Sequence, residues 1–237
     1  MTDFYSRLAR YYDQMYSFID YEKNAKTLNE IIQRYKKAPD TRLLDVACGT
    51  GTHLKYLKNT YQVMGFDISN EMLEIADKKC PDIEFIQGDM TSMSLDRKFD
   101  VITCLFGSIN YLVKKADLVK AIHAFSKHLV TGGLVIIEPI FTTDSYREGS
   151  LGILCVDLPE IKIARTNVTR REGDIAYLDF HFLISTPETG TEHFVDPSPM
   201  GIFSKDMFLK MMEESGLSAS FVEPGLAKEG LFIGIKK

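Results

Sequence analysis

Three carboxylates follow three short apolar segments in the first half of the chain. Asp45 precedes a glycine turn (CGTG), Asp67 ends the segment YQVMGFD, and Asp89 follows a glycine. In open α/β sheets ligands bind beyond the carboxyl ends of the strands, and glycines let the backbone approach them closely. Asp67 could accept hydrogen bonds from both hydroxyls of a ribose, and Asp89 could accept one from an adenine amine. The ordered trio therefore predicts a nucleoside site.

Two cofactors compete for the glycine turn. A dinucleotide fingerprint, G-x-G-x-x-G/A, needs a small residue at the position where Leu54 stands. S-adenosylmethionine instead has an amino-acid end, whose ammonium needs an acceptor such as Asp45 ahead of the glycines. We therefore predict S-adenosylmethionine as the cofactor, and a nicotinamide-dependent oxidoreductase is the less favoured alternative.

The elements that must position these residues alternate in type. A helix with apolar residues at Leu28, Ile31 and Ile32 ends before Pro39. Short apolar strands are then predicted at 42–47, 61–66, 83–86, 99–105 and 134–138, with amphipathic helices between them. Ser69 is placed to cap one helix, and Gly132-Gly133 to end another. This pattern predicts an α/β fold whose mostly parallel sheet is covered by helices on both faces.

The alternation of short strands and helices ends after Pro139. Segments 161–169 and 175–185 alternate apolar and polar residues around a turn at 171–174, which predicts a hairpin that a further segment at 192–196 follows. A helix at 205–214 and two antiparallel strands at 218–222 and 231–235 complete the chain. We predict one domain with four parts: an N-terminal helical cap (1–40), a cofactor-binding core (41–139), a β-rich substrate-covering insert (140–203), and a C-terminal helix and strand pair completing the core sheet (204–237).

Composition narrows the function classes. The 237 residues are 45% hydrophobic and 26% charged, with 28 Lys plus Arg against 33 Asp plus Glu. A net charge of −5 disfavours a nucleic-acid partner. The four cysteines have no paired or zinc-binding spacing, and no apolar run reaches the roughly 20 residues of a membrane span. We expect a cytoplasmic protein without a metal site or a membrane partner, and leave monomer and homodimer open.

Several motifs resemble a known family. LLDVACGTGT at 43–52, GFD at 65–67, GDM at 88–90 and the glycine pair at 132–133 are similar to the class I S-adenosylmethionine-dependent methyltransferases. FGSINYL at 106–112, Glu138-Pro139 and LFIG at 231–234 resemble the dTDP-amino-sugar N,N-dimethyltransferases among them. The chain departs from that family in two places. It has Ile-Phe rather than a tryptophan-rich segment after Pro139, and Glu229 where the family carries an arginine.

The resemblance implies a fold and a set of site residues. The fold is a Rossmann-like, seven-stranded, mostly parallel sheet with an antiparallel last strand and an antiparallel β insert over the active site. Together with the strand-end pattern it predicts cofactor contacts from Tyr12, Tyr21, Asp45, Ala47, Gly49, Gly51, Asp67, Ile68, Asp89, Met90 and Leu105. The predicted catalytic residues are Tyr5, Tyr111 and Glu138. The predicted substrate-binding residues are Tyr16, Asn110, Arg165, His181 and Phe203.

The implied reaction is methyl transfer to a small molecule. The acceptor favoured is an amine, such as an amino sugar with or without a nucleotide. An O-methyltransferase of a small metabolite and a non-catalytic S-adenosylmethionine-binding module remain open. Structural roles also compete for single residues: packing for the tyrosines, helix capping for Asn110 and a solvated strand face for His181.

Overall fold

The computed structural model describes residues 8–226 and 229–237. Within these ranges the strands are β1 (Arg42–Val46), β2 (Gln62–Asp67), β3 (Glu84–Gln87), β4 (Phe99–Cys104), β5 (Leu129–Ile137), β6 (Leu151–Leu158), β7 (Ile161–Val168), β8 (Arg170–Glu172), β9 (Ile175–Tyr177), β10 (Phe180–Thr186), β11 (Gly190–Asp196), β12 (Pro199–Gly201), β13 (Leu217–Val222) and β14 (Leu231–Lys236). The α-helices are α1 (Tyr12–Met15), α2 (Tyr21–Tyr35), α3 (Thr52–Leu57), α4 (Asn70–Lys79), α5 (Lys115–His128) and α6 (Lys205–Glu214).

The central sheet has seven strands in the order β13-β14-β5-β4-β1-β2-β3. Neighbouring strands from β1 to β5 run parallel, whereas β14 is antiparallel to both β5 and β13. The predicted seven-stranded sheet with an antiparallel last strand is therefore confirmed. Because the first five strands are parallel, their carboxyl ends meet at one edge, where the loops after β1, β2 and β3 lie side by side.

Helices cover both faces of this sheet. Side chains of Leu44 and Val46 pack into a core beneath α5 and α6, while Leu43 points into the opposite core beneath α2 and α3. All three side chains are fully buried, and each contributes on the order of 1.5–3 kcal/mol to folding. Burial on both faces explains why β1 is a continuous apolar run rather than an alternating one.

Helix boundaries follow the capping signals in the sequence. The Ser69 side chain accepts a hydrogen bond from the Met72 N–H at 3.3 Å, so the predicted cap of α4 is confirmed. Asp20 caps α2 in the same way. Within the described residues, no helix combines the length and the apolar character that crossing a bilayer requires.

The prediction that Gly132-Gly133 lies between a helix and a strand was wrong. Strand β5 already begins at Leu129, and the glycines lie inside it at an irregularity of its pairing with β4. Gly132 has φ +77°, and its carbonyl accepts hydrogen bonds from the N–H groups of Lys37 and Ala38, each at 3.0 Å. The left-handed backbone that glycine permits turns this carbonyl toward the end of α2 without ending the strand.

The insert between β5 and α6 consists of two antiparallel sheets, β11-β10-β7-β6 and β12-β9-β8. The predicted hairpin is confirmed: β7 pairs with β10, and β8 pairs with β9 around Gly173. The hairpin bends between these two pairings. As a result, β7 and β10 belong to the larger sheet, and β8 and β9 belong to the smaller one. Strand β6, which the sequence pattern did not predict, extends the larger sheet. The inner face of that sheet packs on Leu8 and Met15 of the N-terminal segment.

Candidate active site

A cavity of about 580 Å³ opens at the carboxyl edge of the central sheet. Ten of the eleven predicted cofactor-binding residues line it: Tyr12, Tyr21, Asp45, Ala47, Gly49, Asp67, Ile68, Asp89, Met90 and Leu105. The remaining one, Gly51, directly precedes α3 with φ +71° and is not part of the cavity lining; a Cβ there would lie 3.3 Å from Ala76 and Phe85. At its other end the cavity reaches Tyr111 and residues 195–197 of the insert.

Asp67 is held rigidly at the end of β2. One carboxylate oxygen accepts a hydrogen bond from the Gly49 N–H at 2.7 Å, and the other accepts one from the Ser69 N–H at 2.9 Å. Burial raises the pKa of the carboxyl group, although these backbone N–H groups oppose the change. The side chain thus ties the glycine turn to β2 while it faces the cavity.

Asp45 lies deeper in the same edge. It is 3% exposed, and its carboxylate accepts a hydrogen bond from the Thr103 hydroxyl at 2.7 Å. Burial raises the pKa of Asp45 to about 7, so near neutral pH the group gains or loses its proton readily. A cationic ligand group beside it would favour the ionised form. This site therefore suits an ammonium.

The glycine turn has a left-handed backbone at three alternate positions. Ala47, Gly49 and Gly51 have φ values of 58°, 55° and 71°. A Cβ built on Gly49 meets nothing within 4 Å, so the backbone conformation, rather than lack of space, favours glycine there. Gly88 differs, because a Cβ would lie 2.4 Å from the Phe66 ring.

His53 is a candidate site residue that the sequence analysis did not single out. Its ring lies in the cavity wall in edge contact with Tyr21, at 4.9 Å between ring centroids. Burial lowers the pKa of the imidazole to about 4, so the ring is neutral. Its Nε2 is buried and has no hydrogen-bond partner among residues 8–226 and 229–237. Its position two residues after Gly51 is the one sequence signal of such a role.

These groups fit S-adenosylmethionine. The Asp67 carboxylate could accept hydrogen bonds from ribose hydroxyls, and the Asp45 carboxylate could accept one from an ammonium. The orphaned Nε2 of His53 is an unmet hydrogen-bonding site for the polar end of a ligand. Nothing in this arrangement calls for a pyrophosphate at the start of α3.

Aromatic rings form the opposite wall. Tyr12, Phe106 and Tyr111 line the cavity. Burial, together with Tyr16 and other acidic neighbours, raises the pKa of Tyr12 well above its usual value, so its phenol stays protonated. Electron-rich faces of such rings attract cations such as a sulfonium or an ammonium.

Tyr16 and Arg165, both predicted to bind substrate, lie together behind this wall. An Nη1 N–H of Arg165 donates to the Tyr16 hydroxyl at 3.0 Å, and the guanidinium stands 4.5 Å from the centroid of Phe180. Tyr16 in turn contacts Phe106 edge-on at 5.3 Å between centroids. The Nε of Arg165 is buried and has no hydrogen-bond partner in the part of the chain that the structure describes. The pair thus adjoins the cavity through Phe106.

Asn110 and Glu138 are buried outside the cavity lining. The Asn110 amide donates to the carbonyls of Phe141 and Gly201 and accepts from the Ile140 N–H, at 3.2, 2.9 and 2.8 Å. A Glu138 carboxylate oxygen accepts from the Phe106 N–H at 2.9 Å. In this structure Asn110 joins the core to the insert, and Glu138 fixes the loop that carries Phe106.

The structure places the other predicted residues apart from the cavity. Phe203 is buried in the core beneath α5 and α6, and His181 is exposed on the outer face of the insert. Tyr5 lies outside the described residues. The catalytic and substrate-binding assignments of all these positions stay predictions.

A polar cluster that sequence reasoning missed holds the N-terminal segment against the core. Asp13 accepts hydrogen bonds from the hydroxyls of Thr50 and Thr52, at 2.6 and 3.2 Å. Lys79 pairs with Asp13 at 2.6 Å and also donates to both threonines. We call these four residues the cap latch. It fixes α1, and with it Tyr12, over the glycine turn.

Comparison with known proteins agrees with this geometry. A protein-family model described as "Methyltransferase domain" matches residues 43–133. The dTDP-3-amino-3,6-dideoxy-alpha-D-glucopyranose N,N-dimethyltransferase of Streptomyces fradiae is 31% identical, and the alignment covers 99% of this chain and 92% of that protein. DesVI of Streptomyces venezuelae has a TM-score of 0.85 at 31% identity, with 92% of each chain covered. CalS10 of Micromonospora echinaspora, an amino pentose methyltransferase solved with S-adenosylmethionine bound, has a TM-score of 0.83 at 27% identity over 92% of each chain.

The similarity spans the insert and the N-terminal segment as well as the core. Such coverage at this identity extends beyond the cofactor-binding half that all class I methyltransferases share. The chain is a methyltransferase, and its cofactor is S-adenosylmethionine. It belongs to the dTDP-amino-sugar N,N-dimethyltransferase family of class I S-adenosylmethionine-dependent methyltransferases.

Proposed function

We propose that this enzyme methylates the amine nitrogen of an amino sugar. The observation that carries the proposal is the nearly full-length similarity to the Streptomyces fradiae dimethyltransferase, which includes the insert. Loops and inserts around a shared scaffold determine which acceptor is bound, so similarity in these parts bears on the substrate. The aromatic wall opposite the carboxylates supports an acceptor that carries an amine.

We assign the cofactor contacts by the chemistry of each group. Asp67 accepts from the ribose hydroxyls, Asp89 from the adenine amine, and Asp45 from the ammonium. His53 supplies its free Nε2 to the amino-acid end. Tyr12 and Tyr21 close the cavity from the N-terminal side.

S-adenosylmethionine supplies an electrophilic methyl group on a sulfonium. In the transfer, the nitrogen lone pair forms a bond to the methyl carbon while the carbon–sulfur bond breaks, and its electron pair stays on sulfur. The protein's task is to hold the amine in line and to exclude water, which can contribute several kcal/mol. Tyr12, Phe106 and Tyr111 do this as rigid rings, and solvent removes the ammonium proton after transfer.

We place the remainder of the acceptor toward Tyr16 and Arg165. The lining within the described residues contains no lysine or arginine. A nucleotide diphosphate on the sugar would therefore rely on Arg165, whose buried Nε has no partner among the described residues. Arg165 is therefore the residue that we expect to distinguish a nucleotide-linked sugar from a free one.

The proposal is tested by the release of S-adenosylhomocysteine across matched acceptors. The panel contains a dTDP-linked amino sugar, the same amino sugar without nucleotide, and the dTDP-linked sugar with a hydroxyl in place of the amine. We expect turnover with an amine acceptor and none with the hydroxyl analogue. Turnover only with the hydroxyl analogue would contradict N-methylation. Tight cofactor binding without release for any acceptor would favour a non-catalytic module.

A further inference from the structure

The insert contributes a carboxylate of its own to the cavity. Among the described residues, the acidic side chains of the lining are Asp45, Asp67, Asp89 and Asp196. The first three belong to the core and are assigned above to the ammonium, the ribose and the adenine of the cofactor. Asp196 is the last residue of β11 and is 1% exposed. A buried carboxylate costs free energy unless donors or a cation accompany it, so its partner in the complex matters.

Strand alternation places the Asp196 side chain on the inner face of the larger insert sheet. Residues two apart along a strand share a face, so Asp196 lies on the same side as Phe194, which stacks on Phe182 at 4.8 Å between centroids. Across the strands, Asp196 pairs in register with Phe180. The guanidinium of Arg165 stands 4.5 Å from the centroid of that ring. Phe180 therefore has both a carboxylate and a guanidinium as neighbours.

The turn after β11 holds this carboxylate in a fixed orientation. Oδ1 of Asp196 accepts hydrogen bonds from the Ser198 N–H at 2.9 Å and from the Ser198 hydroxyl at 2.6 Å. The carbonyl of Pro197 accepts from the N–H groups of Leu178 and Asp179, at 3.1 and 3.2 Å. A carboxylate has about four lone-pair sites, so accepting from Ser198 leaves Asp196 able to accept from a ligand as well.

We propose that Asp196 binds the amine of the acceptor, an inference that rests on the proposed N-methylation of an amino sugar. Its carboxylate accepts a hydrogen bond from an N–H of the neutral amine and so orients the nitrogen lone pair. The preferred acceptor then carries an amine at one end, held by Asp196, and an anionic group at the other, held by Arg165. The insert thus supplies both charges that select the acceptor.

The carboxylate also favours the transfer itself. As the nitrogen lone pair forms its bond to the methyl carbon, the carbon–sulfur bond breaks and its electron pair stays on sulfur. Positive charge therefore passes from sulfur to nitrogen, and a fixed negative charge beside the nitrogen stabilises it as it develops. The product ammonium pairs with Asp196 until its proton passes to solvent. An alcohol has no cationic form near neutral pH, so the same carboxylate makes the site selective for amines.

The test compares two ligands on the enzyme saturated with S-adenosylhomocysteine. They are a dTDP-linked amino sugar and its analogue with a hydroxyl in place of the amine, and calorimetry gives both dissociation constants. We expect the wild-type enzyme to bind the amine at least about tenfold more tightly, and Asp196→Asn to lose most of that preference. Wild-type turnover of the amine with an unchanged preference in Asp196→Asn would overturn the role of Asp196 alone. Absence of wild-type turnover with the amine would instead overturn the proposed function.

Turnover kinetics separate contact with the amine from damage to the turn. Asp196→Asn keeps an oxygen that can accept from Ser198, yet it should lower kcat/KM for the amine by about 10- to 100-fold. Ser198→Ala removes a donor from the same turn but keeps the carboxylate, and we expect at most about a threefold loss. Asp157→Asn, at an exposed carboxylate elsewhere on the insert, is the matched control and should behave as wild type. An equal loss in Ser198→Ala and Asp196→Asn would assign the effect to the turn and overturn the proposal.

A charge-preserving variant keeps the proposal testable if Asp196→Asn does not fold. Asp196→Glu retains the negative charge and should retain the preference for the amine over the hydroxyl analogue, although a displaced carboxylate lowers kcat. Loss of the preference in Asp196→Glu would contradict the proposal. A wild-type enzyme that binds the two ligands equally would contradict it as well.

Discussion

The two ends of the cavity are built in different ways. The cofactor end, defined by Asp45, Asp67 and Asp89, uses residues at the carboxyl ends of central-sheet strands and in the loops that directly follow them. Asp67 bonds to residues only 2 and 18 positions away. The acceptor end, defined by Tyr16, Arg165 and Tyr111, joins the N-terminal segment to the insert across 149 positions. Contacts between residues close in sequence give a fixed nucleoside site. Contacts between residues distant in sequence let the acceptor site vary without disturbing the nucleoside site.

The largest effect should come from removing the anchor of the cofactor end. Asp67→Ala deletes the acceptor for the ribose and leaves the Gly49 and Ser69 N–H groups without their partner. We expect the dissociation constant for S-adenosylmethionine to rise by well over tenfold, measured by calorimetry. Asp96→Ala, at an exposed carboxylate away from the cavity, is the control. An unchanged dissociation constant for Asp67→Ala would refute our placement of the ribose.

The pH dependence of S-adenosylmethionine affinity tests the role of Asp45 at the same end of the cavity. Its pKa is raised to about 7 in the unliganded protein, and the bound ammonium needs the ionised form. Affinity for S-adenosylmethionine should therefore rise with pH up to about 7 and level off above it. Asp45→Asn should flatten this profile and weaken binding by about tenfold. A wild-type profile that is flat from pH 5 to 8 would contradict the assignment.

The Asp45 carboxyl should also make folding stability depend on pH, but in the opposite direction from cofactor affinity. A folded-state pKa above the unfolded value near 3.9 means that stability is lost as pH rises toward about 7. Without cofactor at pH 8, Asp45→Asn should therefore unfold at a higher temperature, by the equivalent of roughly 1–3 kcal/mol. Thermal unfolding at pH 5 and pH 8 measures this difference, and the variant should gain less at the lower pH.

A smaller and more selective effect is expected at the acceptor end. Arg165→Lys keeps the charge but loses the planar group that reaches Tyr16 and stacks on Phe180. We expect the acceptor KM to rise by about three- to tenfold while the cofactor dissociation constant stays unchanged. Arg171→Lys, on an exposed edge strand, is the matched control. Equal losses in cofactor and acceptor binding would contradict the separation of the two ends.

The cap latch should give the smallest effect. Lys79→Met breaks the ion pair with Asp13 that holds α1 over the glycine turn, whereas Lys78→Met changes its exposed neighbour. We expect about two- to fivefold weaker cofactor binding for Lys79→Met and unchanged cofactor binding for Lys78→Met. Stopped-flow release of S-adenosylhomocysteine should be faster by a similar factor. Identical behaviour of the two variants would show that the latch does not retain the cofactor.

The contrast between the ends also explains what the sequence could predict. The parallel strands and the strand-end carboxylates follow from local patterns, because each motif lies within a few residues of the strand that positions it. Asn110 illustrates the opposite case. Its amide reaches Gly201, 91 positions away, and only the folded insert reveals that it is used to join two parts of the molecule.

Strand β6 was missed for a physical reason. Its residues Leu151, Ile153 and Leu154 are apolar on both faces, so the alternation expected of a half-exposed strand is absent. His53 was not predicted because an isolated histidine beside apolar helix residues gives no pattern. Its Nε2, which has no hydrogen-bond partner among the described residues, is visible only in the structure.

The most direct test of the proposed reaction is a single turnover with S-adenosylmethionine labelled with carbon-13 on its methyl group and a dTDP-linked amino sugar. Two-dimensional proton–carbon NMR of the product distinguishes a methyl group on nitrogen from one on oxygen. We predict that the label appears on the amine nitrogen, in step with S-adenosylhomocysteine release. A labelled methyl on a hydroxyl oxygen, or no transfer from an enzyme saturated with cofactor, would contradict the account.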